Sequence, residues 1–467
     1  MTDDAPLPRY RFGPLERRGL VAGWRGGQIA LVAASAVLVV GILRRSPSLA
    51  GVLASLALMV AAVAAATWPF GGRTVEEWAP DAVRHARAGL KRRASLRGSP
   101  FATLEVLTVE AGDDRLCAIV HDAAARTYTA VFAVEGDGFV LLGVSGQADR
   151  VSAWSGVLAA FCQRGGSARR IQWIARTLPT GGSGPGVAST ASDAVGARRL
   201  SQGSYDALVE AELERCCRHE VLLVVTVAAP RTRRSAHPPD ARHVEGCSMA
   251  VREATWLRGQ LSDAGFAAGT LLDPSQLHAS VRAAFAPNAG PAPPGAAAWP
   301  WPMATEALWD SARADGTWHA TYWVAQWPRR DVAASFLAPL LVSDVRRSLA
   351  VVMAPVGPGE AARRAEQART AEIADAELRR RGGFLETARR RRQEEHLARR
   401  EDELSEGHAQ YRFSGYLTVT AEDERGLEDR CARTEQAAAL ADMELRRCYG
   451  DQVRAFTCTL PLGRGLA

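Results

Sequence analysis

The sequence predicts an α+β fold: an N-terminal two-helix transmembrane hairpin, then mixed α/β cytoplasmic domains with a long charged helical segment. Three features predict it. Between Gly26 and Gly72 the only charges are Arg44 and Arg45, which separate two apolar runs. From Thr103 onward, short β-branched and aromatic runs alternate with segments of helical period. Residues 360–406 are almost entirely Ala, Arg and Glu.

The first apolar run, Ile29 to Leu43, is short for a span, covering roughly 22 Å of a ~30 Å hydrocarbon core. Counting back to Trp24 recovers most of the deficit. The second, Leu49 to Trp68, is long enough for one crossing, and Trp is a preferred interface residue. Small residues (Ala33, Ala34, Ser35 and Gly41, then Gly51, Ala54 and Ser55) let two such helices approach closely. Arg9, Arg11, Arg17, Arg18 and Arg25 precede the first run. Arg73, Arg84, Arg87, Lys91, Arg92, Arg93 and Arg97 follow the second, against only Arg44 and Arg45 at the tip. The positive-inside rule then places both termini in the cytoplasm and makes this a multi-pass protein of the inner (cytoplasmic) membrane. A signal peptide is disfavoured by the second run and by the lack of a small-residue cleavage site. A soluble core hairpin is disfavoured because neither run carries polar punctuation.

With 467 residues the chain has room for the hairpin and two soluble domains. Its 57 cationic residues exceed the 51 acidic ones by a margin that suits an anionic membrane face as well as nucleic acid. Lys91 is the only lysine, the signature of a genome rich in arginine codons. The eight cysteines form no CxxC pair, which fits reduced thiols in a cytoplasmic body. Cys216, Cys217 and His219, with His237, His243 and Cys247 downstream, outline a metal site only loosely. Adjacent cysteines point about 100° apart on a helix, so ordinary helix and loop roles are the better reading.

Along the soluble part, LEVLTVE, LCAIVHD, RTYTAVFAV and FVLLG read as strands beginning at Leu104, Leu116, Arg126 and Phe139. Gln147 to Cys162 reads as a helix with Val151, Trp154, Val157, Leu158 and Phe161 on one face. RIQWIART follows as a strand, then a Gly/Ser-rich loop from Pro179 to Gly196. Ser204 to His219 reads as a helix, VLLVVTVAA as a buried strand, and Val244–Ala264 and Ser275–Phe285 as helices. Strands followed by helices on one side of the sheet indicate α+β. The Pro/Ala-rich stretch 286–302 reads as a linker between two domains.

Beyond the linker, Trp318 to Trp327 is an alternating aromatic strand. It lacks the basic interleaving of a base-stacking platform and reads as packing. A short helix near Val332–Leu340 and the strand SLAVVMAPV come next. The Ala/Arg/Glu stretch does not sustain a heptad. It reads as a solvated helix pair laced with i,i+4 ion pairs. The alternative is a docking arm, whose Arg389, Arg390, Arg391 and Arg392 would meet an acidic surface or phosphates. Strand YRFSGYLTVTA, helix Asp423–Arg447 and strand RAFTCTL close the chain. The layout is a basic segment and hairpin over 1–73, a basic linker over 74–98 and an α+β domain over 99–285. After the linker at 286–302, a second α+β domain over 303–467 carries the charged arm 360–406.

No catalytic constellation emerges. A P-loop needs Lys after Gly, and Lys91 follows Leu90. HEVLL at His219 has Leu223 where a zinc protease needs its second His. GPGVAS at Gly184 lacks the strand-to-helix context of a dinucleotide loop, and GVSG at Gly143 lacks the last Gly of a nucleophile elbow. The expectation is a non-enzyme without cofactor or metal.

RYRFGPLERRGLVAGWRGGQ followed by the hairpin resembles the small inner-membrane hairpin subunit of type IV secretion systems, in the form found in actinobacterial conjugation loci. FLETARRRRQEEHLARREDELSEGHAQYRFSGYLTVTAEDERGLEDR and RAFTCTLPLGRG resemble the non-ATPase N-terminal part of the large traffic ATPase of those systems. In that family a nucleotide-binding domain follows the LPLGR-like segment, whereas the last residue of this sequence is Ala467. The resemblance implies a scaffold subunit in a multi-subunit complex. It would join a separate P-loop motor ATPase to other channel subunits at the membrane, with DNA contact as a further role. A rival resemblance is to the EccE-type membrane subunit of type VII secretion, which also has an N-terminal hairpin and a mixed cytoplasmic domain.

Overall fold

A computed structural model describes residues 10, 12, 26–45, 48–67, 78–79, 82–83, 85–86, 99–111, 115–136, 138–179, 217–230, 239–287, 300–382 and 408–466. Contacts divide the chain into two compact units. One comprises Met1–Gly13, Leu96–Cys448 and Gln452–Ala467, and the other Pro14–Ser95 and Tyr449–Asp451.

The smaller unit is built on α1 (Gly26–Arg45) and α2 (Leu49–Thr67), which run antiparallel against each other. Ser48 starts α2: its hydroxyl accepts from the Gly51 N–H at 3.3 Å and its carbonyl from the Val52 N–H at 3.0 Å. Ser is a preferred residue at such helix starts for this reason.

The larger unit holds a twelve-stranded sheet in which every pairing is antiparallel. The chain lays it down in two passes. The first pass runs β1 (Leu104–Ala111), β2 (Arg115–Asp122), β3 (Thr127–Val134), α3 (Val144–Gln163), β4 (Ala168–Pro179) and β5 (Cys217–Ala228). It ends with α4 (Pro239–Asp263), β6 (Ala268–Leu271) and α5 (Pro274–Phe285). The second runs β7 (Thr305–Ala307), β8 (Ala312–Ala314), β9 (Thr317–Gln326), α6 (Ala338–Leu341) and β10 (Arg347–Val356). After α7 (Pro358–Gly382) come β11 (Gln410–Ala421), α8 (Glu424–Leu440), β12 (Glu444–Arg447) and α9 (Gln452–Phe456).

The sheet order is β1-β2-β3-β5-β4-β10-β11-β9-β8-β7, with β6 on β3 and β12 on β9. That order is a palindrome of the two passes: the larger unit is one supersecondary motif built twice about a pseudo-twofold axis through the β4–β10 pair. The antiparallel register of that pair, from Thr177↔Arg347 to Ile171↔Met353, is what such an axis requires. Core positions repeat as well. TYTAVFAV of β3 matches TWHATYWV of β9, with Thr127/Thr317, Ala130/Ala320 and Val134/Val324 identical. Ala250, Ala254, Leu257 and Leu261 of α4 are buried at the same spacing as Leu427, Cys431, Thr434 and Ala438 of α8. Four residues past each helix's last buried position the backbone turns left-handed, at Gly265 (φ 82°) and Asp442 (φ 54°).

The repeat changes three expectations. Strands from both sides of 286–302 share one sheet, so the stretch expected as a linker does not separate two sheets. Helices cover both faces of the sheet, not one. On one face α3 and α4 bury Val157, Phe161, Ala254 and Leu257 against Ile119, Phe132 and Leu223, while α8 covers Leu349, Leu417 and Tyr322. On the other, Val281 and Phe285 of α5 and the C-terminal Phe456, Leu460 and Leu462 pack on Val131, Leu222, Val224 and Ile174. The helix expected over 423–447 stops at Leu440, because the turn at Asp442 frees 444–447 to pair with β9.

Other segments also differ. Phe139–Leu141, expected as a strand, is a 3₁₀ turn entered through left-handed Gly138, and the end of β3 is paired by β6 instead. Cys217–His219, expected to end a helix, begins β5, while 204–216 lies outside the described residues. The expected strand 454–460 is α9 plus the 3₁₀ turn Thr457–Thr459. Its backbone is claimed by side chains: fully buried Gln172 donates to the Cys458 and Leu460 carbonyls at 2.8 and 3.0 Å and accepts from the Gly463 N–H at 2.8 Å. Arg170 donates to the Gly463 and Leu466 carbonyls, and Arg464 pairs with Asp122 at 2.6 Å.

Two predictions follow from this core. Gly463 has φ 61° and a Cβ there would overlap the Thr226 hydroxyl, so Gly463→Ala should destabilise the larger unit by about 2–4 kcal/mol in chemical denaturation. His319 is fully buried, its Nδ1 3.0 Å from the Thr420 hydroxyl and its ring stacked on Phe456 at 4.6 Å. Burial depresses its pKa to about 3. The unfolded chain then binds a proton that the folded chain does not. Stability falls as pH drops from the unfolded value near 6.5 toward about 3, by about 1.4 kcal/mol per unit. His319→Gln should flatten the pH dependence of unfolding between pH 6 and 4 by about one proton.

Candidate functional site: the apolar hairpin and the N-terminal segment

α1 and α2 are each long and apolar enough to cross a membrane, over Gly27–Arg45 and Leu49–Thr67. Their packing is inverted relative to a soluble core. Ser35, Gly51, Ser55 and Ala66 are buried between the helices, while Val37, Leu38, Val40, Leu49, Leu53, Leu56 and Val60 face outward, each more than half exposed. The Gln28 side chain donates across to the Ala66 carbonyl at 2.7 Å, and the Ser35 hydroxyl donates to its own helix at Val32 and lies 3.7 Å from Met59 Sδ. In water such an arrangement leaves apolar area unburied; in hydrocarbon it is the expected one, because small residues permit close contact and large ones meet lipid.

Of the small residues expected at the contact, Ser35, Gly51 and Ser55 lie there, while Ala33, Ala34, Gly41 and Ala54 face outward. Ile29, Leu43 and Leu49 are exposed, as are Arg44 and Arg45 at the α1 end. Trp24, Trp68, Arg17, Arg18, Arg25, Arg73, Arg92, Arg93 and Arg389 to Arg392 lie outside the described residues.

Tyr10 and Phe12 pack on the larger unit, a contact with no signature in the residue pattern. Tyr10 and Val332 exchange both backbone hydrogen bonds at 2.9 Å. Phe12 stacks on Trp327 (5.2 Å between centroids), meets Phe336 edge-on (5.3 Å) and lies 6.4 Å from Phe413.

Other polar clusters among the described residues pair with one another and with backbone. Buried Glu253 accepts from Arg164 (3.0 Å) and from the Ser167 N–H and hydroxyl (3.2 and 2.9 Å), fixing the α3–β4 turn on α4. Fully buried Arg176 donates to the Ser280 carbonyl at 2.7 Å and pairs with Glu220 at 3.4 Å. His121 stacks on Tyr128, whose hydroxyl meets His243 Nδ1 at 3.1 Å; burial, then His243, lowers the His121 pKa. Cys217 and His219 sit at the far end of β5 from His243 and Cys247, and Cys216 and His237 lie outside the described residues. Burial raises the thiol pKa of Cys117 and Cys162, and that of Cys247 and Cys431 to about 11, which keeps them protonated at neutral pH. Among the described residues, no group of three or more His, Cys, Asp or Glu is placed to hold a metal ion.

No family model matches the chain, and no curated protein matches it in sequence.

The Ser55 hydroxyl is buried between the helices without a hydrogen-bond partner. Ser55→Ala should therefore leave the hairpin as stable, or more stable by about 1 kcal/mol, whereas Ser55→Leu should force the helices apart. Detergent-titrated unfolding of the full chain measures both.

Proposed function

We propose that this chain is a non-catalytic, membrane-anchored scaffold subunit of a conjugative-transfer or type IV-like secretion machine, docking a separate P-loop motor. The observation that carries the anchoring role is the inverted hairpin: small and polar side chains inside, Val and Leu outside. The clasp of Tyr10 on Val332 supports the topology. Tyr10, before α1, and the strands after α2 belong to the same unit, which supports a reading in which both ends of the hairpin lie on one side of a bilayer. The excess of Arg outside the apolar runs supports assigning that side to the cytoplasm. The likeness of the N-terminal segment and last third to type IV components supports the choice of machine.

Two measurements test this. With Ser46→Cys, a membrane-impermeant maleimide should label intact cells, whereas Asp113→Cys should be labelled only after lysis. The reverse pattern, or equal labelling, overturns the topology. In-cell cross-linking followed by solubilisation should recover a P-loop ATPase. Recovery of small WxG-type substrates and their membrane partners instead would favour the EccE-type role, and salt-sensitive DNA retention would favour direct DNA contact.

A further inference from the structure

The two repeats differ in the crossover that follows their third strand. In the first, residues 135–167 carry α3, a helix of 20 residues. It lies on the α4 side of the sheet: Phe161 meets Trp256, Trp154 meets Phe266, and the Leu158 carbonyl accepts from the Tyr411 hydroxyl at 2.6 Å. In the second, residues 327–346 carry only α6, a helix of 4 residues. A crossover this short cannot lay a helix of α3's length over the sheet. Its own Trp327 and Phe336 are half-buried and Phe413 of β11 is exposed, and Phe12 packs against all three rings.

We propose that the N-terminal segment Tyr10–Phe12 is the second repeat's substitute for α3, and that the Trp327–Phe336–Phe413 pocket is its docking site. Three observations fix this occupant. Phe12 sits among all three rings. Tyr10 pairs by backbone with Val332, a residue of the shortened crossover itself. Phe413 lies on the same sheet face as Tyr411, which meets α3 in the first repeat. An aromatic ring in an aromatic pocket supplies both buried area and edge-to-face contact, and backbone pairing fixes its register. The segment completes a core of the second repeat. The proposal holds whether or not the hairpin crosses a bilayer, so its failure and that of the anchoring role are separable.

Hydrogen exchange on the purified full-length chain tests it, comparing Phe12→Ala and Phe12→Trp with the parent. Phe12→Ala should raise amide exchange by about tenfold or more over 327–341 and 411–415, leaving β1 to β6 at parental protection. Phe12→Trp, which refills the pocket, should restore most of that protection. Unchanged exchange over 327–341 in Phe12→Ala overturns the proposal. So does an equal rise in both repeats, which would make Phe12 a general stability residue.

Discussion

Seven strand rungs, from Thr177↔Arg347 to Ile171↔Met353, join β4 to β10, and the rest of the architecture follows from their antiparallel direction. Two identical motifs that meet edge to edge in antiparallel register are related by a twofold axis normal to the sheet. That axis sends α4 and α8 to the same face and gives each repeat's crossover an equivalent stretch of sheet to cover. It also places a long excursion between equivalent strands, residues 180–216 after β4 and 357–409 after β10. Ile174 and Ala350, which face each other in this pair, are both fully buried, so the junction is part of the core.

The hairpin follows a different burial pattern. In the sheet, large apolar side chains point inward and polar groups find partners: Gln172 with three backbone groups, Glu253 with Arg164 and Ser167, Asp122 with Arg464. In the hairpin the large side chains point out and Ser, Gly and Ala line the contact. One chain thus carries two burial patterns, and that of the hairpin is the one expected of helices in hydrocarbon.

Much of this was legible in the residues. Uncharged length gave both helices of the hairpin, and short β-branched and aromatic runs gave β1, β2, β3, β4, β5, β9, β10 and β11, each within a few residues. Short strands were missed where partner, not composition, decides: β6 and β12 are four residues each and exist because β3 and β9 offer free edge. Composition misled where side chains take over the backbone, as Gln172 does for RAFTCTL, or where a single left-handed residue ends a helix, as Asp442 does. The repeat escaped notice because only about one position in three is identical between β3 and β9. Its excursions also differ wholly in composition, Gly/Ser-rich in one and Ala/Arg/Glu-rich in the other. The clasp gave no periodic signal at all, since it rests on one aromatic residue and one bridge.

A disulfide across the Tyr10–Val332 bridge tests whether the chain ahead of α1 is held by the larger unit. Tyr10 and Val332 are backbone partners, which brings their Cα atoms within disulfide range of about 4.4–6.8 Å. In native membranes, the Tyr10→Cys/Val332→Cys chain should form this bond on mild oxidation and run as a compact monomer on a non-reducing gel. Two cysteines that stay individually reactive, or that link separate chains into dimers, would contradict the account.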